Sequence, residues 1–221
     1  MNKFPVPLKA VLFDLDGVLT DTARAHFLAW KRLADERGIP FDLAANEELK
    51  GVDRMKSLDF ILARGTEHVG DDKRPALADR KNGWYLAAIA DFAPSDLLPG
   101  ARAGLLSIRQ AGLPIALCSA SRNAPKLLER LGINDLFDTV VDPMSVERGK
   151  PAPDIFLAAA GILGAPPERC LGIEDAASGI AAIRAAGMRS IGIGDPQTLA
   201  EADVVLPSLA EFRLEDYHDA G

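Results

Sequence analysis

The sequence predicts an α/β fold: a doubly wound, Rossmann-like parallel sheet with helices on both faces and a helical cap domain inserted into it. Three observations predict this. Six short apolar runs, "KAVLFD", "PIALCSAS", "DTVVDP", "RCLGIED", "SIGIGD" and "DVVLP", each end in polar or turn residues, as strands do. Helical patterns separate most of them, and parallel strands need such crossovers. One interval, of roughly ninety residues between the first two runs, is far longer than a crossover requires and reads mostly as helix.

The first strand is "KAVLFD", a continuous apolar run that stops at Asp14. After it comes the insert, placed at residues 20–92. Three apolar stripes at helical spacing mark it: Phe27, Trp30, Leu33 and Ala34; then Leu58, Ile61 and Leu62; then Trp84, Tyr85, Ala88 and Ile89. Its two connectors, "GVLTDT" and "FAPSDLLPG", carry Gly or Pro and suit a hinge. Residues 1–19 and 93–221 then form the core domain. Helices are expected there at Gly100–Ala111, Ala124–Leu131, Asp154–Leu163 and Ala176–Ala186, the last stopped by Gly187.

The chain has 221 residues, 48% of them apolar and 26% charged, which is ordinary for a globular protein able to bury a core. A net charge of -7 argues against a general affinity for nucleic acid or for an anionic membrane. The segment "MNKFPVPLKAVLFD" fits neither a secretory signal nor a membrane span, so a cytoplasmic protein is expected. Cys118 and Cys170 each lie in an apolar run and read as small core residues rather than a disulfide. No exposed apolar stripe stands out, and a monomer is expected.

In open α/β sheets ligands collect beyond the carboxyl ends of the strands. The first strand delivers Asp14 and Asp16 there, the second Ser119 and Ser121, the segment after the third Lys150, and the fourth Glu174 and Asp175. Residues two apart share a side of a strand, so Asp14 and Asp16 can face one reacting centre while Gly17 turns the chain away. Alone, such a pair also fits a solvated strand end. Four acids in one crevice repel one another and call for a cation, and an all-oxygen site suits Mg²⁺, which commonly shares its shell with a phosphate. Lys150 supplies the complementary charge, although a surface lysine would look the same. Ser119, Ala120, Ser121 and Asn123 precede a helix and can gather an anion or simply cap it. Asp21 reads as a helix-start or hinge acid beside Thr22 rather than a member of the catalytic pair.

The motifs "DLDGVLTDT", "SAS", "GKPAPDIF" and "GIEDAASGI" resemble, in order, the four motifs of the haloacid dehalogenase-like phosphotransferases, and the insert sits where that family carries a mobile cap. The resemblance implies an aspartyl-phosphate enzyme, with Asp14 as nucleophile and Asp16 as general acid and base. It implies one Mg²⁺ per chain, held by Asp14, Asp16 through its carbonyl, Glu174 and Asp175. The segments "TDTARAHFLAW", "LKGVDRMKSL", "RKNGWY", "SASRNAPKLLERL" and "KPAPDIFLAAA" are similar to the hexose-phosphate mutases of the family. That similarity implies Thr22 and His26 as hinge and proton-transfer auxiliaries, and Lys50, Gly51, Val52, Arg54, Ser57 and Lys81 as cap contacts to sugar or phosphate. It makes Ser119 and Lys150 binders of the transferring phosphoryl group, with Ala120, Ser121, Arg122 and Asn123 in the substrate-binding set, the last three against the distal phosphate. The implied reaction is an isomerisation between β-D-glucose 1-phosphate and 6-phosphate, with β-D-glucose 1,6-bisphosphate as intermediate and activator.

The cap spacing can be tested against this. Thr22, His26 and Trp30 are four apart and share a helical face near Asp16, although a lone histidine among aromatics is also at home in a core. Lys50 and Arg54, if helical, make an i, i+4 basic pair. Two other readings share these motifs. One is a sugar-phosphate or phosphoglycolate phosphatase, which uses water as acceptor. The other is a phospho-receiver module, which needs neither a cap nor an acid two residues after the nucleophile.

Overall fold

The computed structural model describes residues 7–218. Six strands, β1 (Ala10–Phe13), β2 (Ile115–Leu117), β3 (Thr139–Val140), β4 (Cys170–Glu174), β5 (Arg189–Ile193) and β6 (Val204–Leu206), form one parallel sheet in the order β3-β2-β1-β4-β5-β6. All six predicted runs are strands. The chain leaves β1 toward β2 on one side and returns to β4 on the other, so the crevice beyond β1 and β4 is a topological switch point.

Side-chain alternation fixes the two faces of the sheet. Val11 and Phe13 enter one apolar cluster and Ala10 and Leu12 the other, and all four are completely buried. Helices cover both faces: α5 (Ala101–Gln110), α6 (Ala124–Arg130), α7 (Asp154–Ile162) and α8 (Ala177–Ala185) lie within a residue of their expected ends. Cys118 and Cys170 are buried and free.

Between β1 and α5 come four helices, α1 (Ala23–Asp35), α2 (Leu43–Glu47), α3 (Arg54–Leu62) and α4 (Arg74–Ala88). The short α2 was not anticipated; Asp42 caps it by accepting the Ala45 N–H at 2.8 Å. Trp30, Leu33, Ala34, Leu58, Ile61 and Leu62 meet in a third apolar cluster belonging to these helices, and each wholly buried Leu or Ile there contributes roughly 1.5–3 kcal/mol. The third expected stripe differs. Tyr85 and Ile89 pack into the sheet-side cluster instead, Trp84 touches both clusters, and Ala88 is exposed. A helix of 15 residues passing from the insert to the sheet has to present two apolar faces.

The insert joins the sheet through a narrow neck. Thr20 bridges Leu97 in antiparallel fashion, Leu98 N–H donates to the Leu19 carbonyl at 2.9 Å, and Thr20 Oγ1 donates to the Asp96 carbonyl at 2.8 Å. Among the described residues no helix is long and apolar enough to cross a membrane.

Candidate active site

β1 ends at Phe13, but Asp14 still donates its N–H to the Ile173 carbonyl at 2.9 Å, which holds its side chain at the mouth of the switch point. The chain then turns. Gly17 adopts φ +77°, and a Cβ there would lie 2.0 Å from Asp175 Oδ2, so both the turn and the approach of that acid require glycine. Asp14 Oδ2 accepts the Asp16 N–H at 2.9 Å, while Oδ1 accepts from Lys150 Nζ at 2.6 Å. Lys150 also donates to Glu174 Oε2 at 2.7 Å. This lysine is buried; its desolvation is outweighed by the two carboxylates, which hold it charged well above the ordinary lysine range.

Asp14, Glu174 and Asp175 each offer an oxygen, and these oxygens lie within 4.8 Å of one another. Burial and then the charge of Asp14 push Glu174 up to about 7, and burial, Glu174 and Asp14 push Asp175 up to about 9. A site whose acids resist losing their protons, built only from oxygen donors, fits a hard divalent cation. The Asp16 side chain is not in this group: its carboxylate accepts from the Thr22 hydroxyl, which leaves only its backbone carbonyl for the fourth predicted ligand position. Burial first, then Asp14, raises Asp16 to about 7, against the opposing pull of Thr22, Lys150 and Lys81.

The insert supplies the opposite wall. Thr22, His26 and Trp30 do share one face and line the cavity, and Asp21 accepts the Ala23 N–H at 2.9 Å as a helix-start acid. Burial, then Lys81 and Arg54, hold the His26 imidazole well below the ordinary histidine range, and its Nδ1 is hydrogen-bonded with Lys81 Nζ at 2.9 Å. Lys81 is pulled down to about 7, by burial and then by Arg54, and its ammonium stands 4.3 Å from the centre of the Trp30 ring.

The expected Lys50–Arg54 helical pair is corrected. Residues 48–51 form a turn, with Gly51 at φ +71°, and Asp53 caps α3 by accepting the N–H groups of Met55 and Lys56, both at 3.0 Å. The two cations go separate ways, Lys50 to Glu47 at 2.7 Å and Arg54 toward Asp79 at 3.8 Å. The glycine does allow close approach: a Cβ on Gly51 would lie 2.7 Å from Ser178 Oγ of α8, which donates to the Lys50 carbonyl at 3.2 Å.

Before α6, Ser119 Oγ accepts the Ser121 N–H at 3.1 Å and Ser121 Oγ accepts the Asn123 N–H at 3.3 Å. These hydroxyls therefore satisfy backbone donors that an anion was expected to use. The Asn123 amide instead reaches across to the insert, donating from Nδ2 to Asn82 Oδ1 at 2.8 Å. Asn82 and Ser178 were missed from sequence, though both lie inside motifs already quoted.

A cavity of about 810 Å³ joins these groups. Asp14, Asp16, Thr22, His26, Lys50, Gly51, Val52, Arg54, Ser57, Lys81, Ser119, Ala120, Ser121, Arg122, Asn123, Lys150 and Asp175 all line it. Of the predicted site residues only Glu174 does not; it lies fully buried beneath, on Lys150.

The model of the haloacid dehalogenase-like hydrolases matches residues 8–187. The chain is 47% identical over 215 residues to the beta-phosphoglucomutase of Bacillus subtilis, an alignment spanning 96% of this chain and 95% of that protein. It superimposes on the crystal structure of beta-phosphoglucomutase from Clostridium difficile with a TM-score of 0.92 at 40% identity, covering 94% of each chain. A phosphatase is also similar: the validoxylamine A 7'-phosphate phosphatase of Streptomyces hygroscopicus is 30% identical, over 93% of this chain and 96% of that one.

Proposed function

This chain belongs to the haloacid dehalogenase-like hydrolase family, and from that premise we propose that it is an isomerase interconverting β-D-glucose 1-phosphate and β-D-glucose 6-phosphate. The route runs through an aspartyl phosphate at Asp14 and through β-D-glucose 1,6-bisphosphate. One observation carries the reading beyond family likeness: a single cavity is lined both by the phosphoryl-transfer group, Asp14, Asp16 and Lys150, and by a second cationic pair, Arg54 and Arg122, near enough to each other to interact. Burial and then Arg122 lower the pKa of Arg54, so an anion between the two guanidiniums relieves both. A bisphosphate needs two such groups to turn around between transfers.

In the first transfer a sugar hydroxyl attacks the phosphorus on Asp14. The new O–P bond forms, the bond to the Asp14 carboxylate breaks, and Asp16 takes the hydroxyl proton. After the bisphosphate reorients, its other phosphoryl group passes back to Asp14, and Asp16 returns the proton to the departing oxygen. A carboxyl near 7 suits both directions at neutral pH. Thr22 aims that carboxyl, and Lys150, 2.6 Å from Asp14, spreads the negative charge of the transferring group together with Ser119. Asp14, Glu174, Asp175 and the Asp16 carbonyl would hold Mg²⁺, which when bound would supply charge neutralisation to the phosphoryl oxygens. We take residues 20–92 as a cap that excludes water, so that the aspartyl phosphate is not hydrolysed. Lys50, Gly51, Val52, Arg54, Ser57 and Lys81 are the cap's contacts to substrate; Ser121, Arg122 and Asn123 hold the distal phosphate.

The protein acts on small sugar phosphates, as a monomer in the cytoplasm. The nearest other reading is a sugar-phosphate phosphatase with the same core. Purified protein given Mg²⁺, β-D-glucose 1-phosphate and a trace of the 1,6-bisphosphate yields glucose 6-phosphate; formation of inorganic phosphate alone refutes the mutase reading.

A further inference from the structure

Two carboxamides, one from each wall of the cavity, are bonded to each other where the reading above puts the distal phosphate. Asn82 follows Lys81 on α4, and Asn123 precedes α6; the 2.8 Å bond from Asn123 Nδ2 to Asn82 Oδ1 joins the insert to the sheet. Asn123 is buried and its backbone N–H is already taken by Ser121 Oγ, so its side-chain N–H groups are what it can offer a ligand. Arg54 and Arg122 line the same cavity.

The Asn82 oxygen is a neutral acceptor. A phosphate oxygen is a charged one, and hydrogen bonds to charged acceptors are about twice as strong. An entering phosphate therefore displaces Asn82 from Asn123. A half-turn of the Asn82 carboxamide about its last torsion exchanges its oxygen for its NH₂ and faces a donor toward that phosphate. We propose that Asn82 is a specificity-determining residue that stands in for phosphate on Asn123 while the cap is seated, then turns to donate to the distal phosphate of the sugar. The inference rests on the proposed mutase reading and adds to it. It also accounts for a seated cap that keeps its polar groups bonded both with and without substrate.

Asn82→Asp separates these roles. A carboxylate still accepts from Asn123, so the seated cap keeps its bond and the thermal midpoint does not fall, but it faces the phosphate with like charge. The expected result is a KM for β-D-glucose 1-phosphate raised about a hundredfold, and about tenfold in Asn82→Ala, with kcat changed by less than about threefold. A KM within about twofold of wild type in both variants overturns the assignment, as does a fall in kcat with KM unchanged. If the wild-type protein forms no glucose 6-phosphate, the mutase reading alone fails. The assignment is then decided by titrating inorganic phosphate and following tryptophan fluorescence, since Trp30 lines the cavity and Trp84 lies two residues from Asn82. Binding about tenfold weaker in Asn82→Asp upholds it, and equal binding overturns it.

Discussion

Gly51→Ala perturbs the seating of the cap at one atom. Two costs arise, and they act on different equilibria. The first is conformational: an L-residue at φ +71° costs about 1–2 kcal/mol whether or not the loop touches α8, so it appears as lost stability. The second is contact: the new Cβ, 2.7 Å from Ser178 Oγ, displaces that hydroxyl from the Lys50 carbonyl and removes a bond worth about 1 kcal/mol, which opposes only the seated state. About 1 kcal/mol lowers the ratio of seated to open cap roughly fivefold. Water then reaches the aspartyl phosphate, and the ratio of inorganic phosphate to glucose 6-phosphate rises by a similar factor, measured with labelled β-D-glucose 1-phosphate. Ser178→Ala loses the same bond without the strain, so it raises the ratio comparably at unchanged stability. The double variant should leak no more than either single one, because both remove one interaction. Additive leakage in the double variant, or an unchanged product ratio in Gly51→Ala, refutes the reasoning.

Three further outcomes follow from the acid cluster and its neighbours. Folded Glu174 and Asp175 keep their protons to about 7 and 9, against ordinary values of 4.5 and 3.8. Metal-free protein therefore has that contribution in full below about pH 4 and loses it progressively from there until pH has passed the folded values of 7 and 9; differential scanning calorimetry should show the midpoint falling across that whole span, and saturating Mg²⁺ should flatten the fall while EDTA restores it. Thr22→Val leaves the start of α1 intact, since Thr22 makes no side-chain cap bond there, but removes the hydroxyl that favours ionised Asp16. The acid limb of its kcat/KM profile should move to higher pH by about one unit. Asp16→Asn should lower sugar-phosphate conversion by about 10²–10⁴-fold, while mass spectrometry still detects phosphate on Asp14 after treatment with an acyl phosphate, whose leaving group needs no proton. Loss of that labelling too would show that Asp16 does more than move protons.

The sheet was legible because its strands are buried on both faces and read as unbroken apolar runs between turn residues. Strand order was not written in those runs; it follows from register, which depends on partners far apart in sequence. The acid cluster was legible because each acid sits directly after an apolar run. The Lys50–Arg54 spacing misleads because i, i+4 across this segment spans Gly51, which is left-handed in a turn, and Asp53, which is the N-cap of α3, so no helix joins the two cations. Ala88 shares the spacing of a stripe whose Tyr85 and Ile89 enter the sheet-side cluster and whose Trp84 touches both clusters, but it is itself exposed. Asn82 carries no periodic signal and no charge, and only its partner across the cavity marks it out.

The neck at Thr20 and Leu97 bears on how such a chain reaches its native state. Because the two connectors lie side by side, the sheet sees the whole insert as one closed loop whose ends meet. Loop-closure entropy grows only logarithmically with length, so a shorter or longer module in place of the four helices changes the closure cost little, provided it replaces the buried contacts that Tyr85 and Ile89 make with the sheet-side cluster. The helices meanwhile carry an apolar cluster of their own. Substrate range can thus diverge by exchanging everything beyond the neck, with the strand register and the acids of the switch point left as they are.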